Sequence, residues 1–252
     1  MSSEVLLRTD ELSREFSGFV AVDRVNFSVR PGELRAIIGP NGAGKTTFFR
    51  LISGELHPSS GRVWFQDRDI SGISAHKACR LGIGKSYQIT NTFANLTVLE
   101  NVKIAAQPPR LDFSFLSSYA RFSSLHDQAA TILETVGLLP YGDVLAAHLS
   151  YGKRRHLELG MALASEPTLL LLDEPTAGMT PEETDASIEL IRRIAASKTV
   201  IVVEHKMKVV MAISDLVTVF HQGRILAQGT PEEVRSNEQV QSVYLGDRDA
   251  GA

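Results

Sequence analysis

The sequence predicts an α/β fold: a parallel sheet covered by helices on both faces, with a strand-rich start and a helical middle. Three observations carry this. A short apolar run stands at Leu34–Ile38 (LRAII), and uninterrupted ones at Leu169–Leu172 (LLLL) and Val200–Val203 (VIVV). A strand with one wet face would alternate, so these runs read as strands buried on both sides. The string TPEE occurs twice, at 180–183 and 230–233. In each, Thr can cap a helix, Pro suits the first helical position, and the second Glu can return a capping-box hydrogen bond. Finally, strand and helix patterns alternate along the second half, as crossover connections require.

The elements follow in order. The first 70 residues read as strands and turns. LRAII runs into a glycine-rich loop, then a helix from about Thr46 to Ser53 that Gly54 stops. Arg62–Phe65 reads as another strand. Residues 93–165 are richer in helical patterns, with a break at Pro108-Pro109. Within them DFSFLSSYARF (112–122) carries four aromatics, read as the core stripe of a helical lobe ahead of a docking surface. Leu216–Phe220 and Arg224–Ala227, joined by HQG, read as a hairpin. The chain shows no repeat of 20–50 residues and no low-complexity tract.

Length and composition set bounds. The 252 residues suit one large α/β domain, or a core with a smaller lobe. Apolar residues make up 43% and charged residues 22%, usual for a soluble globular chain. A net charge of −3 gives no general attraction to nucleic acid, and none is expected as a partner. One cysteine, Cys79, permits no internal disulfide and fits a reducing compartment; it reads as a buried, inert thiol. The start, MSSEVLLRTDEL, has early acids and no apolar run, so no signal peptide is expected. No apolar run approaches the roughly 18 residues of a membrane span, so work at a membrane would go through a partner.

The first chemical motif is GPNGAGKTT: Gly39, Pro40, Asn41, Gly42, Ala43, Gly44, Lys45, Thr46 and Thr47. It satisfies G-x-x-x-x-G-K-[ST], between a buried-strand pattern and a helix pattern. The glycines let successive N–H groups turn inward on phosphate oxygens, and the helix start adds its positive end. Lys45 would reach the β- and γ-phosphates, and the Thr46 hydroxyl would sit on Mg²⁺. This is a P-loop. The second motif, LLLLDE, ends a buried strand in two acids. Asp173 would join the Mg²⁺ shell, and Glu174 would orient or deprotonate a water in line with the γ-phosphate. No guanine-reading NKxD string is present, which favours adenine and hence ATP.

A further stretch, LSYGKRR, crowds Lys153, Arg154 and Arg155 into what reads as a helix start. The helix dipole disfavours cations there. Either an anion visits or the charges serve other partners.

Together these strings resemble one family. GPNGAGKTT, a glutamine in SYQIT, LSYGK before a helix, LLLLDEP and a following EH are similar to the ATP-binding subunits of ABC transporters. The resemblance covers nearly the whole chain. It implies a P-loop NTPase (RecA-like) core with an antiparallel β subdomain and a helical subdomain. Residues 1–252 would form a single ABC ATPase domain, about 1–92 and 166–252 as core with β subdomain, and about 93–165 as helical subdomain. It gives Phe16, in REFSGF, the adenine-stacking role, with Phe19 as rival. It gives Gln88 contact with Mg²⁺ and the attacking water, and coupling to the membrane subunit. It makes His205 the switch histidine on the γ-phosphate. Leu149, Ser150, Tyr151, Gly152 and Lys153 match the signature loop that closes on ATP held by a second subunit.

The chain departs from the family's pattern in places. Tyr151 replaces a glycine and Lys153 a glutamine, so altered packing is expected around Tyr151, with Lys153 adding attraction for the anion. Arg154 and Arg155 are read as facing outward or pairing with acids. After LLLLDEP the usual SALD is AGMT, so Thr180 stands where an aspartate would meet the partner. LTVLENV, EHKMKVVM, GTPEEV and the closing YLG resemble the branched-chain amino acid subunit; GMTPEET and HQGRILAQG resemble the related urea-importer subunit. The resemblance thus implies a transport-coupled ATPase on the cytoplasmic face of the plasma membrane. Its partners would be a second ABC ATPase subunit, two transmembrane permease subunits and, indirectly, a periplasmic solute-binding protein. Branched-chain amino acid import is favoured over urea or short-amide import. A lipopolysaccharide-export ATPase, a non-hydrolysing regulatory module and a P-loop kinase are the rivals.

Overall fold

The computed structural model of the chain describes residues 5–86, 92–107 and 118–249. In chain order its strands are β1 (Leu7–Phe16), β2 (Phe19–Val29), β3 (Leu34–Ile38), β4 (Ser60–Phe65), β5 (Arg68–Asp69), β6 (Ile83–Ser86), β7 (Leu169–Asp173), β8 (Thr199–Val203), β9 (Leu216–His221) and β10 (Arg224–Gly229). They form two sheets. One is antiparallel, ordered β2-β1-β4-β5; the other has six strands, ordered β10-β9-β3-β8-β7-β6. In the six-stranded sheet every pairing is parallel except β10 with β9.

The apolar runs are buried on both faces, as their lack of alternation requires. Along β7, Leu170 and Leu172 join one core, and Leu169 and Leu171 join the other. The first core holds the helices α3 (Val98–Ala105), α4 (Ser118–Thr135), α5 (Tyr151–Leu163), α6 (Pro181–Ala195) and α7 (Met207–Ile213) against the sheet. The second holds α1 (Lys45–Ile52) and the antiparallel sheet against the opposite face. There Phe48 meets Phe27 edge-on, ring centroids 5.2 Å apart, and Phe220 at 5.0 Å.

Both TPEE strings open helices with complete capping boxes, one before α6 and one before α8 (Pro231–Ser236). The expected helix after the glycine-rich loop is α1, closed at Ser53 and followed by Gly54 at φ 76°. The expected hairpin is β9–β10, turning through Gln222 and Gly223, both at positive φ. β4 begins two residues before the expected Arg62. Gly61, at φ 81°, lets that strand pass the Glu11 carbonyl, which a Cβ would strike at 2.2 Å. A last helix, α9 (Glu238–Asp249), ends the described chain.

Two expectations fare otherwise. Cys79 is exposed, not buried. Of the short helix α2 (Ala75–Arg80) only Ala78 is buried, so Cys79 lies along the wall of an open cavity of about 280 Å³ with Ile83, Lys85 and Met161. Pro108-Pro109 and most of the aromatic stretch, through Ser117, lie outside the described residues. No helix among the described residues is long and apolar enough to cross a membrane.

Candidate functional site

Three neighbouring strands, β3, β8 and β7, end at one edge of the parallel sheet. Open α/β sheets place ligands at this carboxyl edge. The glycine-rich loop 39–44 leaves β3, Asp173 closes β7, and Glu204 and His205 follow β8.

The loop's bend is set by close backbone approach. A Cβ on Gly39 (φ 150°) would lie 2.2 Å from the Phe220 carbonyl oxygen. One on Gly44 (φ 97°) would lie 2.3 Å from that of Ala21. Only glycine fits between β9 and β2 at these points. Ala43 N–H donates to the Pro40 carbonyl at 3.2 Å, and Gly223 N–H to the Ala43 carbonyl at 3.0 Å. Lys45 starts α1 almost fully buried and donates to the Gly39 and Pro40 carbonyls at 2.6 and 2.9 Å. Burial lowers the pKa of its ammonium, opposed by the charges of Glu174 and Asp173. Thr46 is exposed in the first turn and Thr47 half-buried beside it.

Asp173 is buried at the end of β7, paired with Val203. Burial raises its carboxyl above the usual range; Lys85 opposes this and Glu174 adds to it. Its Oδ1 is buried and meets no protein donor. Buried polar atoms are otherwise nearly always satisfied. An orphaned carboxylate oxygen beside a phosphate loop fits a cation or its bound water, so the residues present suit Mg²⁺. Among the described residues no cluster of three His, Cys, Asp or Glu could hold a metal alone, so the triphosphate would complete the shell.

Glu174 is the next residue. Its N–H donates to the Val203 carbonyl at 2.9 Å, and its backbone takes φ 49°, a left-handed conformation sparse for non-glycine residues. This turns the side chain out of the strand line toward β8, where Glu174 Oε2 meets His205 Nε2 at 3.1 Å. Such strained carboxylates collect at functional sites. The sequence-predicted Lys45, Thr46, Asp173, Glu174 and His205 thus share one sheet edge. Gln88 lies outside the described residues; Ser86, which ends β6, pairs with Leu172, the residue before Asp173.

Phe16 and Phe19 face each other across the β1–β2 hairpin, 39% and 65% exposed. They stand two strand positions and more from Ala21, the residue that touches Gly44. The Arg14 guanidinium stacks on the Phe16 ring, 4.6 Å from its centroid.

Ser150 caps α5, and its hydroxyl accepts from Lys153 N–H at 3.4 Å. Leu149 is buried beneath it. The cations of LSYGKRR find partners within the chain. Lys153 donates to the Tyr141 hydroxyl at 2.6 Å, its nitrogen 3.9 Å from the ring centroid. Arg155 pairs with Glu158 at 3.0 Å, both nearly buried, and donates to the Tyr151 hydroxyl. Arg154 donates to the Ala147 carbonyl at 3.3 Å. Tyr151 lies over Gly178, whose added Cβ would be 3.3 Å from the ring. The positive end of α5 holds an anion from the same chain. Glu183 Oε1 accepts from Gly152 N–H at 3.2 Å and Ser150 hydroxyl at 3.4 Å, while Oε2 accepts from Thr180 N–H at 3.3 Å. Glu204 carries no local sequence signal. The capping-box spacing marks Glu183 as a cap, but its reach to Gly152 needs the fold.

The loop, the two acids and the histidine at one sheet edge define a P-loop nucleotide hydrolase. A family model described as ABC transporter matches residues 22–177, and one described as branched-chain amino acid ATP-binding cassette transporter matches residues 224–250. The chain therefore belongs to the ABC transporter family as an ATP-binding cassette, an ABC-type ATPase. It is 38% identical, over 97% of its length and 99% of the relative's, to the high-affinity branched-chain amino acid transport ATP-binding protein LivG of Escherichia coli K12. It is 37% identical, over the same shares, to BraF of Pseudomonas aeruginosa. Among solved structures it is similar to the ADP conformation of MJ1267, an ATP-binding cassette of an ABC transporter. The TM-score there is 0.86 at 31% identity, covering 97% of this chain and 100% of that one.

Asp173 yields a prediction with a definite sign. Its folded pKa is raised, so the ionised form costs stability as pH rises through that value. Asp173→Asn should melt at or above the wild-type temperature at pH 7 without nucleotide, and the gap should close at acid pH, where the wild-type carboxyl is protonated. The variant should gain nothing from Mg²⁺ added to ATP, as differential scanning fluorimetry would read.

Proposed function

We propose that the chain is the ATP-binding and hydrolysing subunit of an ABC importer for branched-chain or other hydrophobic amino acids. The observation that carries the hydrolytic part is the Glu174–His205 contact at 3.1 Å, beside the buried Lys45 and the orphaned Asp173 oxygen. The likeness to LivG and BraF, and the match of residues 224–250, support the solute class.

In this reading Gly39 to Thr47 cradle the triphosphate of ATP, and Lys45 exchanges its two carbonyl acceptors for phosphate oxygens. Thr46, Asp173 and Gln88 would hold Mg²⁺, which when bound neutralises charge on the β- and γ-oxygens. Glu174 accepts a hydrogen bond from the attacking water and takes its proton as the new O–P bond forms. The bond from γ-phosphorus to the bridging oxygen breaks, and ADP leaves with the electron pair. His205 fixes Glu174 and donates to the γ-phosphate. Positioning and charge do the work.

Leu149, Ser150, Tyr151, Gly152 and Lys153 would meet the ATP of a second ABC ATPase subunit. Ser150 and Gly152 are the donors there, and Glu183 must yield its place to that phosphate. Residues of about 1–92 and 166–252 would act as the core and about 93–165 as the helical subdomain. Two transmembrane permease subunits, fed by a periplasmic solute-binding protein, would hold the assembly on the cytoplasmic face of the membrane.

Two outcomes check this. Disrupting the chromosomal copy should abolish high-affinity uptake of radiolabelled leucine and leave urea uptake intact; the reverse result assigns the subunit to urea. Phe16→Ala should raise the KM for ATP by about 5- to 100-fold with kcat little changed, the scale of one lost stacking contact. The same rise in Phe19→Ala, with none in Phe16→Ala, moves the platform to Phe19.

A further inference from the structure

Glu204 is 1% exposed, and among the described residues it forms no ion pair with Lys or Arg. A buried carboxylate is costly unless its oxygens are fully hydrogen-bonded. Glu204 meets that demand in a specific way. Its Oε1 accepts from the Thr176 N–H at 3.1 Å and the Thr176 hydroxyl at 2.7 Å. Its Oε2 accepts from the His205 N–H at 3.1 Å and the Lys206 N–H at 3.4 Å.

One oxygen therefore holds the backbone two residues beyond Glu174, and the other holds the backbone of His205 itself. The Thr176 end is fully buried and tightly turned, since Ala177 N–H returns to the Glu174 carbonyl at 3.1 Å. The Lys206 ammonium reinforces the same junction from the other side, donating to the Thr176 carbonyl at 2.8 Å. Glu204 is in turn anchored to the strand that feeds the phosphate loop, its N–H donating to the Ile37 carbonyl at 3.2 Å. The left-handed Glu174 is held by its N–H on the Val203 carbonyl and by its carbonyl under the Ala177 N–H, and the His205 side chain is 44% exposed. Beyond that strand pairing, the stitch beneath joins the turn after Glu174 to the start of the His205 loop.

We propose that Glu204 is a positioning residue for hydrolysis: its carboxylate staples the Glu174 loop to the His205 loop and so sets the register of the pair. It touches no nucleotide. This rests on the reading that Glu174 and His205 act at the γ-phosphate.

The test is steady-state ATPase of the full chain carrying Glu204→Gln. Glutamine keeps the shape but offers one acceptor oxygen for two sets of donors, leaving a buried N–H facing an amide. About a tenfold or greater loss of kcat is expected, the scale of one unsatisfied buried donor, with the KM for ATP unchanged. The loss should nearly vanish when Glu204→Gln is made in a His205→Ala background, because the residue works through His205. Thr176→Val, which removes one donor and keeps shape, should lower kcat by a few fold with the same split; it carries the test if Glu204→Gln melts below the assay temperature. Wild-type kcat, a rise in KM instead, or a loss that persists in full in the His205→Ala background would overturn the proposal. Wild-type activity in His205→Ala alone would instead overturn the reading on which it rests.

Discussion

The parallel pairing of β7 with β8 is the constraint on which the site depends. Asp173 pairs with Val203, and the Glu174 N–H continues the ladder onto the Val203 carbonyl. A slip of one residue would exchange the faces of every side chain on β7. Leu170 and Leu172 would leave the helical core for the other one, and both cores are fully packed around them. Packing of ordinary leucines thus fixes where two acids end. The same register brings His205 to Glu174, because the two strands end level, Asp173 opposite Val203, with Glu174 one residue and His205 two residues beyond.

At that edge two adjacent carboxylates sit in opposite settings. Asp173 points into the protein, desolvated and with one oxygen lacking any protein donor. Glu174 points outward from a left-handed turn to a histidine. The backbone conformation, more than the chemistry of the side chains, sends one carboxylate inward and its neighbour outward. Beneath them the Glu204 carboxylate takes only neutral donors, from Thr176 and the His205 and Lys206 backbone, while the Lys206 ammonium is spent on the Thr176 carbonyl.

Much of this was legible in the sequence because the signals are local. LRAII, LLLL and VIVV announce strands buried on both faces, and each TPEE announces a capped helix start within four residues. GPNGAGKTT and LLLLDE name the phosphate loop and its acids at fixed spacing. What stayed hidden depends on contacts between distant segments. Glu204 looks like any acid at a strand end until Thr176, 28 residues away, is seen beside it. Glu183 reads as a helix cap, and it is one, but its other oxygen crosses to Gly152, 31 residues away. Cys79 shows the opposite failure. Cysteine is usually buried, but a two-turn helix on a sheet edge has room to bury only Ala78.

The departures in LSYGKRR and AGMT also find their account in packing. Tyr151 covers Gly178, whose lack of a side chain admits the ring, and the Tyr151 hydroxyl accepts from Arg155. The residue that replaces a glycine in one loop is thus matched by a glycine in the other. Thr180 caps α6 and leaves the Glu183 carboxylate free to bridge both helix starts.

In the proposed reading Glu174 handles water while its neighbours bind ATP. Single-turnover hydrolysis and equilibrium ATP binding, measured together on Glu174→Gln, test it most directly. Binding should stay within a few fold of wild type and hydrolysis should slow by about 100-fold or more, the scale of a lost general base. Hydrolysis at the wild-type rate with ATP bound normally would contradict it.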